Sequence, residues 1–189
     1  MNLSNLKRNF LLFALLFSSA LIYTGCTPEE PDDENEEEVI TTLIYTLTDA
    51  NGNTAVLSFV DLDGDGPDLP VVTADNLAAN TTYTGSIQFR NDEENEDITA
   101  EVQEEDEDHQ VFYESTIAGI SVSYDDADAD GNPVGLATIL TTGDAGTGNI
   151  TITLRHEPVK DATGVSDGDI ANAEGETDIE VVFTGVAVQ

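Results

Sequence analysis

Two short loops carry the residue types best suited to chemistry. Residues 61–66 read Asp-Leu-Asp-Gly-Asp-Gly, and residues 126–131 read Asp-Ala-Asp-Ala-Asp-Gly. In such a loop the carboxylates at positions 1, 3 and 5 converge on one point, and glycine at position 6 permits the sharp reversal. A hard cation wants six to eight oxygens there. Asp61, Asp63 and Asp65, with Asp68 just beyond, and Asp126, Asp128 and Asp130 are therefore candidate calcium ligands. The same residues also make plain turns. Neither loop closes with a bidentate carboxylate, because Val72 and Ala137 stand at position twelve. The expected affinity is weak, about 10⁻⁴ to 10⁻³ M, as in extracellular modules.

The two histidines form a second candidate set. His109 lies between Asp108 and Gln110, and His156 precedes Glu157. If their chain segments meet, two imidazoles and Glu157 offer a site for zinc, copper or haem iron. If they do not meet, each is a solvated side chain beside acids. Catalysis has no comparable signature. The chain has no phosphate-cradling glycine loop before a lysine. It has no Trp to stack on a sugar, and its 39 acids make any imagined carboxylate pair uninformative. An enzyme is not expected.

The elements that must position these residues read as strands. Val39, Thr41, Leu43, Tyr45 and Leu47 alternate with Ile40, Thr42, Ile44 and Thr46, a period of two rich in β-branched residues. Asn51-Gly52 marks a hairpin turn and residues 54–60 return. Residues 82–90 alternate cleanly, and further strands are expected over 110–116, 120–124, 136–141, 149–156 and 177–188. Residues 92–108 contain eleven acids and read as an acidic loop with at most one turn of helix. Together these predict an all-β fold, an antiparallel β-sandwich of the immunoglobulin or fibronectin III kind with seven to nine strands.

Charge and the amino-terminal residues suggest an address. Lys7 and Arg8, an apolar run over residues 10–22 and Thr24-Gly25-Cys26 have the three parts of an export signal. The apolar run is shorter than the ~20 residues of a spanning helix. Cys26 is the only cysteine, and its placement resembles the lipobox of bacterial lipoproteins, with Tyr23 where that family usually has an aliphatic residue. The resemblance implies cleavage after residue 25 and a lipid anchor on Cys26. Residues 27–38 carry eight acids and two prolines, which predicts a disordered, extended tether over 26–38 and one folded domain over 39–189. An acidic run after the lipidated Cys resembles the surface-export signal of Bacteroidetes lipoproteins, implying the outer face of the outer membrane. Lys7 and Arg8 leave with the signal, so only Arg90, Arg155 and Lys160 oppose 39 acids. Such a chain repels nucleic acid and attracts cations.

Three local likenesses complete the reading. Residues 77–83, Leu-Ala-Ala-Asn-Thr-Thr-Tyr, resemble the fibronectin III tyrosine corner, in which the Tyr hydroxyl bonds back to the loop backbone. Residues 61–68 are similar to thrombospondin type 3 calcium repeats, one residue shorter. The phrases at 61–66, 79–85, 108–110 and 154–158 resemble uncharacterised flavobacterial lipoproteins. The function expected from all this is a non-catalytic surface module, stabilised by calcium, that meets a protein or polysaccharide partner. The alternative is capture of metal or haem by His109 and His156.

Overall fold

The computed structural model describes residues 39–189 apart from Asp65; the leader, Cys26 and the acidic tether lie outside the described residues. The alternating segments form strands, as their period requires. β1 (Thr42–Asp49) and β2 (Thr54–Val60) make the expected hairpin, with Gly52 at φ 82° and the Asp49 carboxylate accepting from the amides of Asn51 and Asn53, both at 2.8 Å. β3 (Val71–Ala74), which the sequence reading missed, adds an edge strand to β2. β4 (Thr82–Arg90) pairs with the other side of β1. β5 (His109–Ser115), β6 (Ser121–Tyr124), β7 (Ala137–Thr141), β8 (Gly146–His156) and β9 (Glu176–Val188) complete the fold.

Among the described residues, nine strands form two antiparallel sheets. One has six strands in the order β3-β2-β1-β4-β7-β6, and the other three in the order β5-β8-β9. This is the all-β sandwich expected, although the immunoglobulin constant type divides its strands four and three. Leu43, Tyr45, Leu57, Ile87 and Phe89 from the larger sheet meet Val111, Ile152, Leu154, Val181 and Phe183 from the smaller in one buried core. Gly85 occupies an inward position of β4 because nothing larger fits. A Cβ there would lie 2.4 Å from Thr138 Oγ1 and 2.6 Å from the Tyr45 hydroxyl. That hydroxyl and Thr138 Oγ1 form a buried hydrogen bond of 2.7 Å. Burial outweighs this bond and pushes the Tyr45 pKa up to about 12.

One expectation needs correction. Within residues 92–108 the chain forms a helix, α1 (Ile98–Glu104), of seven residues. Ile98 and Val102 are buried, and the Thr99 hydroxyl accepts from Phe89 N at 2.9 Å and donates to Phe89 O at 3.0 Å. Packing of the two apolar residues and this clasp onto β4 outweigh repulsion among the acids, as tertiary context commonly does with local preference.

Residues 157–175 cover the outer face of the smaller sheet. Phe112, Val165 and Ala173 form a second small core there. Buried Gln110 donates to Val165 O at 2.9 Å and to the Tyr124 hydroxyl at 3.2 Å. Both faces of β5 are therefore covered at its first residues, and His109 is completely buried.

A candidate metal centre at the end of the smaller sheet

His109 and His156 face each other across the β5–β8 ladder. Each lies at an interior position, in phase with Val111 on β5 and Leu154 on β8. Their rings stand 4.7 Å apart, edge to face at 67°. The third member of the group is Asp178 on β9, whose Oδ2 lies 3.9 Å from His109 Nε2. One ligand atom from each residue lies within 4.8 Å of the other two. β8 is the middle strand, so the flanking side chains converge over it, one from each strand.

A bulge brings Asp178 into this position. β9 pairs Ile179 with Leu154 and Thr177 with Arg155, which leaves Asp178 as an extra residue between them. Bulges re-aim side chains in this way. Strict alternation from Ile179 would turn Asp178 outward, whereas here two consecutive residues point inward. Close approach of the strands depends on Gly175, at φ 66°, where a Cβ would lie 2.2 Å from the His156 carbonyl oxygen. On the outer face, Arg155 clasps the turn by donating through Nε to Glu174 O at 3.0 Å and through NH2 to Gly175 O at 2.9 Å.

Hydrogen bonding fixes the state of His109. Its Nδ1 lies 3.1 Å from the carbonyl oxygen of Glu105, just past α1. A carbonyl only accepts, so Nδ1 carries the proton and Nε2 of the neutral ring presents a lone pair. Burial lowers the His109 pKa, with a further lowering from His156, and together they outweigh the raising effect of the Glu105 carbonyl. The neutral form is thus favoured. Nε2 is buried with no hydrogen-bond partner, as is Nδ1 of His156. An imidazole lone pair facing a carboxylate oxygen is repulsive unless a proton or a metal cation lies between them. Donation of the far ring nitrogen to a backbone carbonyl is the usual support for a metal-ligating histidine.

The sequence-expected residues divide sharply. His109 and His156 come together. Glu157 does not join them: it is exposed, its backbone sits at φ 48°, and its amide turns away to Asp108 O at 2.6 Å. Asp178 takes the place assigned to Glu157, and the bulge that places it has no glycine to announce it.

The acidic loops contrast with this group. In the second, the Asp126 carboxylate accepts from the amides of Gly135 and Ala137, both at 2.8 Å. Asp128 Oδ1 accepts from the amides of Asp130 and Asn132, and Oδ2 from Lys160 Nζ at 2.9 Å. Burial raises the Asp128 pKa, but the bonds from Lys160, Asn132 and Asp130 outweigh it and hold the carboxyl below its ordinary value. Lys160 is itself buried and also donates to Asp106 O. The loop therefore already encloses a cation, the ammonium of Lys160. Asp130 is exposed. In the first loop, Asp63 Oδ2 accepts from Asp68 N at 3.1 Å, whereas Asp61 Oδ1 is buried with no hydrogen-bond partner. Asp65 lies outside the described residues.

Compared with known proteins, the chain matches no family model, no curated protein and no solved structure.

Proposed function

We propose that the protein is a non-catalytic, lipid-anchored module of the outer membrane, facing outward, whose β-sandwich binds one divalent first-row transition-metal ion. His109, His156 and Asp178 hold the ion. The observation that carries this reading is the buried His109 Nε2, without a hydrogen-bond partner and 3.9 Å from Asp178 Oδ2. Two imidazoles and a carboxylate suit zinc and its neighbours better than calcium, which prefers an all-oxygen shell. A tetrahedral zinc with bonds of about 2.0–2.1 Å sets its ligands about 3.3 Å apart, so the group tightens modestly on binding.

Zinc titration against a chromophoric chelator tests the reading. One ion per chain is expected in the wild type, with binding lost in Asp178→Asn and in His109→Gln and kept in Asp130→Asn. At about a hundredfold excess over Kd, zinc should add about 2.7 kcal/mol of stability. Equal binding by wild type and Asp178→Asn overturns the site. The anchor is tested separately by metabolic labelling with a clickable fatty acid, which Cys26→Ala should abolish.

A second reading, weak calcium binding at the first acidic loop, is favoured by the buried and unbonded Asp61 Oδ1. It is compatible with the first, since the two sites share no residue.

A further inference from the structure

Three ligands leave a tetrahedral ion one position short, and whatever fills that position decides what the centre is for. A site closed by a fourth protein ligand is structural, whereas one that keeps a water is open to substrate. The inference that follows rests on the metal reading above and concerns the fourth position.

The β8–β9 ladder supplies a candidate. Its register pairs His156 with Glu176 and Arg155 with Thr177. Directly opposed residues share a face of the sheet, with Cβ atoms about 4.5–5.5 Å apart. His156 is on the interior face, where its ring meets His109. Thr177 is on the outer face, where Arg155 reaches its hydroxyl. Alternation along β9 therefore puts Glu176 on the interior side, opposite His156 and two residues before Asp178. Unlike the side chains of His109 and Asp178, Glu176 is exposed, and its carboxylate lies outside the set of three ligand atoms within 4.8 Å of one another, so it must swing in to bind.

Charge points the same way. A dication held by two neutral imidazoles and one carboxylate keeps one net positive charge beside the core. A second carboxylate cancels it, and buried charge is tolerated only when compensated. We propose that Glu176 is the fourth ligand and closes the centre on its solvent side. The set becomes two histidines, an aspartate and a glutamate around a zinc-class ion, with no position left for a substrate. The ion then ties β5, β8 and β9 together as a resident crosslink, with Glu176 as the ligand that releases first.

Cobalt substitution reads this directly. Loaded with Co²⁺, the full chain should show a tetrahedral visible spectrum that excess azide leaves unchanged, because no position is free. Glu176→Gln should bind cobalt about tenfold or more weakly, equivalent to ~1.4 kcal/mol, and its spectrum should shift on adding azide. Thermal unfolding in chelator, expected to match between the two proteins, separates ligand loss from misfolding. If azide shifts the wild-type spectrum as it does that of Glu176→Gln, Glu176 is not a ligand and this inference falls while the metal reading stands. If the wild type binds neither cobalt nor zinc, the metal reading itself falls.

Discussion

Asp128 and Asp178 are two carboxylates whose side chains are 1 % and 0 % exposed, and they differ in what meets them. Asp128 receives two backbone amides and the Lys160 ammonium. Asp178 faces the lone-pair nitrogen of a neutral imidazole. The first belongs to a loop that carries a metal-binding motif, and the second has no motif around it. The contrast teaches that a run of acids is not a site once backbone and lysine have used its oxygens. A buried imidazole nitrogen with no hydrogen-bond partner, close to a carboxylate, marks a candidate cation site whether or not the sequence advertises it.

The largest expected effect comes from taking the cation out of the satisfied region. Lys160→Met leaves Asp128 buried beside no counter-charge, and breaking a buried pair by removing one partner costs about 3–5 kcal/mol. Urea unfolding monitored by circular dichroism measures this. If Lys160 occupies the place a metal would take, millimolar calcium should recover part of the loss in Lys160→Met and do nothing extra at this loop in the wild type. A loss below about 1 kcal/mol would mean that the pair does not hold the loop, and the contrast with Asp178 would lose one side.

How far the two regions were legible follows from what sequence encodes. Period-two alternation matches β2 and β4 at both ends and starts β1 three residues early, because each has one face on a core. β3 escaped because its four residues are exposed on both faces and follow Pro70. β8 begins earlier than expected because Gly146 and Gly148, read as loop, pair with Val188 and Val186. In the segment around Leu77 and Tyr83, the Tyr83 hydroxyl accepts from Ala78 N at 2.8 Å. At the candidate metal centre the histidines were legible as residue types, and their meeting was not, since it depends on the β5–β8 register. Asp178 was hidden twice, as one of 39 acids and as an inward residue out of phase with Ile179 and Val181. Lys160 was read only as a charge, and its role requires residues 157–175 to fold back over the second loop.

A smaller effect distinguishes the two acidic loops from each other. Asp126 and Asp128 are committed to backbone and Lys160, whereas the first loop keeps the free oxygen of Asp61. Calcium at roughly tenfold excess over Kd should add about 1.4 kcal/mol through one site. Sodium chloride at matched ionic strength reproduces screening of the acidic surface without chelation. The melting temperature should therefore rise more in calcium than in matched salt, and Asp63→Ala should remove the difference. Equal behaviour in the two salts would place the first loop beside the second as an acidic turn.

The smallest effect is acid acting on one imidazole, and it tests whether a proton can take the place of the proposed metal at His109. Burial lowers the folded pKa of His109 below its unfolded value of about 6.5. The unfolded chain then binds the proton more readily, so stability rises with pH between the two values. The contribution is complete above about pH 6.5 and is lost as pH falls through that value towards the folded pKa. Protonation of the many surface carboxylates acts over acid pH too, but equally in a variant that lacks the imidazole. In chelator, the melting temperature of the wild type should therefore fall more than that of His109→Asn between about pH 7.5 and about pH 5.5, either side of the ordinary histidine value. Zinc binding at the proposed centre should weaken in the same direction, because its ligands must be deprotonated. The opposite result, a wild type that gains on His109→Asn in acid, would mean that protonated His109 pairs with Asp178. The group would then be a proton-satisfied ion pair like that of Lys160 and Asp128, and the difference between the two regions would vanish.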